Sequence, residues 1–168
     1  MKTFREFINE MARETGINTH SFDRSEALQF YIDNPKYIFK KYENIGSKKY
    51  IVIQTGDYSF LLTNPDDEYL GNIDLSDPDN NGYASINGSE SKIDGGFYNL
   101  MFRVILQDKE INAILSDSSL STQAIKSYEK INKEGIFKIF VYDKTTKEIM
   151  KFSKEELLKN NRVVMISN

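Results

Sequence analysis

The sequence predicts an α/β (α+β) fold: a central mixed, mainly antiparallel sheet flanked by helices, behind an N-terminal amphipathic helix. Three observations predict it. The first fourteen residues carry apolar side chains at helical spacing, and from Tyr50 the apolar period changes to two. From Phe97 onward, helical and strand-like runs alternate.

A chain of 168 residues with 39% hydrophobic and 12% aromatic content supports one domain with a proper core. No stretch approaches the roughly 18 apolar residues a membrane span requires, and the N-terminus lacks the apolar core of a secretory signal. No membrane partner is therefore expected. The expected location is a cytoplasm, or a particle assembled in one. The chain has no cysteine and one histidine, which excludes disulfides, thiolate zinc sites and His-rich metal sites within one chain. Metal chemistry would need carboxylates. The net charge of −3 implies no partner by itself, but it is unevenly spread. Asp57 to Asp94 holds nine acidic residues against one lysine, whereas Ser121 to Asn168 holds ten Lys/Arg against six Asp/Glu. The pattern reads either as an acidic and a basic rim or as scattered solvated charge.

In MKTFREFINEMARE, Phe4, Phe7, Ile8 and Met11 fall at i, i+3, i+4 and i+7, with Thr3 and Glu6 as a capping box and Gly16 as a stop. A second helix is expected from Ser25 to the break at Asn34-Pro35. Lys36 to Tyr42 fits helix or strand. Tyr50–Thr55 and Tyr58–Thr63 are β-branched and aromatic runs around Gly56-Asp57, which predicts a two-residue hairpin of the II′ kind. Tyr69–Leu75 reads as a third strand, Ser76–Gly82 as a loop and Tyr83–Ile86 as a short strand. A polar loop then ends at Gly95-Gly96 and leads into a helix from Phe97 to about Asp108. A buried strand is expected at Glu110–Leu115. The next helix has Ser121 as its cap, Ala124, Ile125, Tyr128 and Ile131 on one face, and Gly135 as its stop. Phe137–Tyr142 and Glu148–Phe152 form a hairpin. Ser153 with Glu156 is a second capping box, opening a short helix to Lys159, and Arg162–Ile166 is the last strand.

A strand meander followed by loop, helix, strand, helix and closing strands is similar to the element order of the GNAT N-acetyltransferase superfamily. Ala124, Tyr128, Gly135 and Phe137 in AIKSYEKINKEGIF resemble that superfamily's late signature. The resemblance covers roughly residues 50–142 and implies a single GNAT-like domain over 21–168, after a 1–20 helix or leader. The cofactor it implies is acetyl-CoA. In that family a Gln/Arg-x-x-Gly-x-Gly/Ala loop at a helix N-terminus presents backbone N–H groups to the pyrophosphate, where the helix dipole also favours negative charge. The stretch that corresponds is Lys92-Ile93-Asp94-Gly95-Gly96-Phe97, so the cofactor-binding residues would be Lys92, Gly95, Gly96 and Phe97. Lysine replaces Gln/Arg, phenylalanine replaces the final small residue, and Asp94 adds a carboxylate. A bulky ring and a negative charge both oppose a close pyrophosphate.

Tyr128 matches the family's general acid, the group that protonates the departing thiolate. It reads equally as a core tyrosine with its hydroxyl at the rim. Asp74 on the third strand and Asp117 at a strand end are the carboxylates placed to act as general base, and each also reads as a turn or surface residue. His20, in the polar connector THSFDR, reads as a surface or packing residue. Asp77, Asp79 and Asn81 are spaced like the start of an EF-hand loop, but no glutamate stands at the twelfth position.

The N-terminal MKTFREFINE carries a second, independent resemblance. It looks like the capsid-targeting leader of internal head proteins of T-even-type bacteriophages, which directs a protein into the prohead and is cut after an Ile/Leu-x-Glu site. Ile8, Asn9 and Glu10 fit that cleavage site. The same residues also read as an ordinary amphipathic helix. The leader implies a phage-encoded protein, located in the host cytoplasm or the virion head interior, with prohead components and a host protein as partners.

Two functions follow as expectations. One is a GNAT-like protein whose acyl-CoA site is degenerate, which binds no cofactor and acts by binding another protein. The alternative is an active acyl-CoA-dependent N-acetyltransferase. Nucleic acid is not expected as a sequence-specific target, because the basic C-terminal third lacks a Lys/Arg stripe with aromatic platforms.

Overall fold

The computed structural model describes residues 39–168 apart from Gly46, Asp67 and Asp94, with 39–45 described by their backbone. The expected helices at the N-terminus and from Ser25, His20, and the leader with Ile8-Asn9-Glu10 lie outside the described residues. Two compact units meet in sequence between Asn72 and Ile73.

In the first unit, β1 (Phe39–Ile45), β2 (Lys48–Gly56) and β3 (Ser59–Thr63) form an antiparallel meander. The ambiguous run ending at Tyr42 is thus strand at its C-terminal end. Tyr50–Ile53 and Phe60–Thr63 are buried without alternation, as expected of strands covered on both faces. The turn between β2 and β3 is Asp57-Tyr58, one place later than the Gly56-Asp57 hairpin predicted from sequence. The cause is a bulge: Gln54 pairs with Phe60 but Gly56 pairs with Ser59, so β2 absorbs an extra residue and draws Gly56 into the strand. The Gln54 side chain holds the turn by donating to the Asp57 carbonyl at 2.9 Å. β4 (Tyr69–Leu75) has the predicted bounds and crosses the boundary between the units.

The second unit runs β5 (Tyr83–Ser91), α1 (Phe97–Ile105), β6 (Ala113–Leu115), α2 (Thr122–Glu134), β7 (Lys138–Asp143), β8 (Ile149–Lys151), α3 (Lys154–Leu157) and β9 (Arg162–Ser167). These strands lie in the order β5-β6-β9-β7-β8. β5 and β6 are parallel, and β6–β9, β9–β7 and β7–β8 are antiparallel. A helix joins the parallel pair, as such a connection requires. The mixed, mainly antiparallel sheet with its helices bears out the α+β class. The strand–helix–strand–helix–strand run from Tyr83 to Asp143 is the order expected from the acetyltransferase resemblance.

Local chemistry explains the helix ends. Ser121 caps α2 by accepting from the Ala124 N–H at 3.1 Å, and Gly135 ends it at φ 66°. Ser153 accepts from the Glu156 N–H at 3.1 Å and opens α3. The predicted strand at Glu110–Leu115 shortens to three residues because Asp108 takes the preceding amides into a turn. Its Oδ1 accepts from the Glu110 N–H at 3.0 Å and its carbonyl from that of Ile111 at 3.3 Å.

One face of the sheet buries Ala113, Leu115, Tyr142, Val163 and Met165 as a single cluster. The intervening residues Ile114, Val141, Val164 and Ile166 have no exposed surface either, so the sheet centre is covered on both faces. Below β7, Asp143 organises the β7–β8 connection. Its Oδ1 accepts from the Thr145 and Thr146 amides at 2.9 and 3.0 Å, and its Oδ2 accepts from Arg162 Nε at 3.3 Å. Arg162 also bonds Glu156, which Lys159 pairs from its other oxygen at 2.7 Å. These bonds hold the Asp143 carboxyl below the usual carboxylate range, with the two threonine amides as the principal cause.

Candidate functional site

The candidate site grows from the parting of two parallel strands. β5 and β6 pair only over Tyr83–Ser85 and Ala113–Leu115. β5 then runs on to Ser91, whereas the chain after β6 turns towards β9, where Ser116 N–H donates to the Val164 carbonyl at 2.8 Å and accepts the Val164 N–H on its hydroxyl at 2.9 Å. Asn87 to Ser91, expected as loop, extends β5 although its side chains are mostly exposed, so backbone pairing and not burial holds it.

The loop from β5 enters α1 through Gly95 (φ 78°) and Gly96 (φ 76°, the N-cap residue). Consecutive left-handed residues demand glycine, because a β-carbon is strained at such φ. A β-carbon on Gly95 would meet nothing within 4 Å, so conformation and not crowding selects glycine there. No side chain caps α1, and the first helical bond runs from the Leu100 N–H to the Gly96 carbonyl at 2.9 Å. Lys92 is exposed just beyond β5. Phe97 is the first residue of α1, and only 4% of its surface is accessible, so its ring belongs to the core.

Tyr128 projects from the inner face of α2 and is 2% exposed. Its ring stacks on Tyr98 with centroids 5.9 Å apart and planes at 28°. Tyr98 also stacks on Phe102 at 5.5 Å and meets Phe97 edge-on at 5.4 Å, while Phe102 meets Phe137 edge-on at 6.3 Å. The Tyr98 hydroxyl pairs with the Ser89 hydroxyl of β5 at 2.8 Å. Tyr98 therefore links the diverging end of β5 to the tyrosine of α2. Burial, then Tyr98, then the Asp117 carboxylate push the Tyr128 phenol well above the ordinary tyrosine value, so it stays protonated at neutral pH. A neutral phenol can donate a proton, but only 2% of this residue's surface is accessible.

The structure thus brings Tyr128, Asp117 and the Phe97 end of α1 into one neighbourhood. Asp117 is exposed and already engaged in its own turn, accepting from the Ser119 N–H at 2.9 Å. Asp74 sits half-buried on β4 and is not among the groups that shift Tyr128. Asp94 lies outside the described residues. Sequence reasoning missed Tyr98 and Ser89. The signal for Tyr98 was its spacing: Tyr98 and Phe102 stand four apart on one helix and so must touch. Nothing in the sequence marks Ser89, whose role depends on β5 running past Ile86.

Among the described residues, no group of three His, Cys, Asp or Glu side chains could hold a metal, and no helix is long and apolar enough to cross a membrane.

No protein-family model matches the chain. No curated protein sequence matches it either. Among solved structures, it is similar to the N-terminal domain of ribosomal-protein-alanine acetyltransferase from Clostridium acetobutylicum ATCC 824, with 14% identity, 74% of this chain and 92% of that one covered, and a TM-score of 0.35.

Proposed function

We propose that this is a phage-encoded GNAT-like protein with a degenerate acyl-CoA site, which acts by binding a host or phage protein. The observation that carries the reading is the burial of Tyr128, packed against Tyr98 and 2% exposed. A general acid must reach the sulfur it protonates. Here only 2% of the Tyr128 surface is accessible. The loop supports the same reading through Lys92, which stands where the family places Gln or Arg, whereas the Phe97 ring is turned into the core and leaves the α1 N-terminus clear. Isothermal titration with acetyl-CoA tests it: no heat is expected at millimolar cofactor, and saturable binding would overturn it.

The leader resemblance of residues 1–10 supports packaging in the virion head, with the host cytoplasm as the place of synthesis. Mass spectrometry of purified virions is expected to find the protein beginning at Met11. Its absence from virions, or an intact Met1–Glu10 segment in mature particles, would count against packaging.

The alternative, an active N-acetyltransferase, is favoured by one observation. Gly95 and Gly96 open an α1 N-terminus that no side chain caps, the backbone arrangement a phosphate cradle needs. On that reading acetyl-CoA binds, and Tyr128→Phe abolishes transfer while leaving cofactor affinity intact.

A further inference from the structure

We propose that the open edge of β8 is a docking strand that takes up an extended segment of a partner protein in which acidic and apolar residues alternate. The proposal rests on the reading that the chain acts by binding, and it names the surface and the partner's chemistry.

Among the described residues β8 is the last strand in the sheet order, and β7 is its one neighbour there. Which of its backbone groups face outward follows from the ladder. Lys147, at φ 64°, donates its N–H to the Asp143 carbonyl at 2.8 Å, and the Asp143 N–H donates to the Glu148 carbonyl at 3.0 Å. Asp143 and Glu148 are therefore a hydrogen-bonded pair. In an antiparallel ladder such pairs recur every second residue, so Val141 and Met150 form the next. The N–H and C=O groups of Ile149 and Lys151 consequently point away from β7. They are the bonds that a further strand would complete.

The side chains specify what that strand must carry. Lys147, Ile149 and Lys151 share one parity, and Ile149 is 46% exposed between the two lysines. Met150 and Phe152 share the other and line an open groove with Lys151, Ser153 and Glu156. An added strand thus sets acidic residues beside Lys147 and Lys151 on one face and apolar residues against Met150 and Phe152 on the other. Glu156 is committed to Lys159 and Arg162 and Asp143 to Arg162, and Lys147 already acts on Asp79 and stands 5.9 Å from the Tyr142 ring centroid, so recognition falls chiefly to Lys151. The same charges argue against a second copy. Antiparallel self-pairing about Met150 places Lys151 diagonally against its own counterpart, a like-charge contact that protects an edge from itself.

The test uses the full chain and a labelled peptide of alternating glutamate and valine, with an alternating lysine and valine peptide as control, followed by fluorescence anisotropy. The acidic peptide is expected to bind at least about tenfold more tightly, and added salt should narrow the gap. Lys151→Pro deletes an outward N–H while sparing the bonds to β7, and should weaken binding by about tenfold. The double variant Lys147→Glu with Lys151→Glu should reverse the peptide preference, and it decides the matter if Lys151→Pro fails to fold. Equal affinity for both peptides, no saturable binding, undiminished binding by folded Lys151→Pro, or a dimer through β8 would each overturn the proposal. Acetyl-CoA binding would overturn the degenerate-site reading without touching the edge, so the two failures are separable.

Discussion

The ring of Tyr98 lies on the ring of Tyr128, and its hydroxyl is tied to Ser89. With 2% of its surface accessible, Tyr128 packs as a core residue. Tyr128→Phe should keep the fold within about 1 kcal/mol, since it retains the stack. Tyr128→Ala should cost about 3–5 kcal/mol by leaving a cavity against Tyr98. Urea denaturation of both variants measures the difference.

Tyr128 also predicts an alkaline limb. Its phenol is raised in the fold, while in the unfolded chain it ionises near ~10. Folding therefore opposes ionisation: the stabilisation is complete below that unfolded value and is lost as pH climbs above it. Tyr128→Phe should move the alkaline unfolding midpoint upward, as followed by far-ultraviolet circular dichroism.

Asp143 acts at the opposite end of the pH scale. Its carboxyl is held down chiefly by the Thr146 and Thr145 amides, with Arg162 adding to them. The stability this supplies is present above the unfolded carboxylate value, about 3.9, and is lost as pH falls through the lower folded value. Asp143→Asn should lower the thermal midpoint at pH 7 and converge with the parent in strong acid. Parallel curves across that range would mean that Asp143 is not the group responsible.

Gly82 joins the loop before β5 to the start of β6. Its φ is 75°, and a β-carbon there would lie 2.5 Å from Asn112 Nδ2 and 3.0 Å from the Glu110 carbonyl. The same carbonyl–amide geometry links Gly82 to Asn112, whose N–H donates to it at 2.8 Å. Gly82→Ala should therefore destabilise by about 1–3 kcal/mol, measurable as a fall in thermal midpoint.

Elements whose ends are written in local chemistry were legible. α2 begins at the residue after Ser121 and stops at Gly135 because a hydroxyl cap and a left-handed glycine act within one turn of themselves. The strand at Tyr69–Leu75 and the Ser153 cap were legible too, but the capping box is half made, because Glu156 gives its carboxylate to Lys159 and Arg162. What escaped depends on distant partners. Gly56 reads as a turn residue, but the bulge opposite Phe60 makes it strand. Asn87 to Ser91 has the composition of a loop, yet its backbone continues β5. At the candidate site, Tyr128 was visible by its helical face, whereas the Tyr98–Ser89 latch required knowing that β5 reaches residue 89.

β6 has three residues, and its two neighbours come from opposite directions in time of synthesis. Ser85 pairs with Leu115 thirty residues after it is made, but Met165 reaches the other side of Leu115 only after another fifty. Until β9 emerges, β6 can hold only its slanted parallel bonds to β5, and the Val164 contacts of Ser116 have no donor or acceptor. Closure of this sheet is therefore a late, non-local event, the kind that slows folding most. The aromatic contact between α1 and α2 at Tyr98 and Tyr128 therefore packs against a completed sheet only once the last strand arrives.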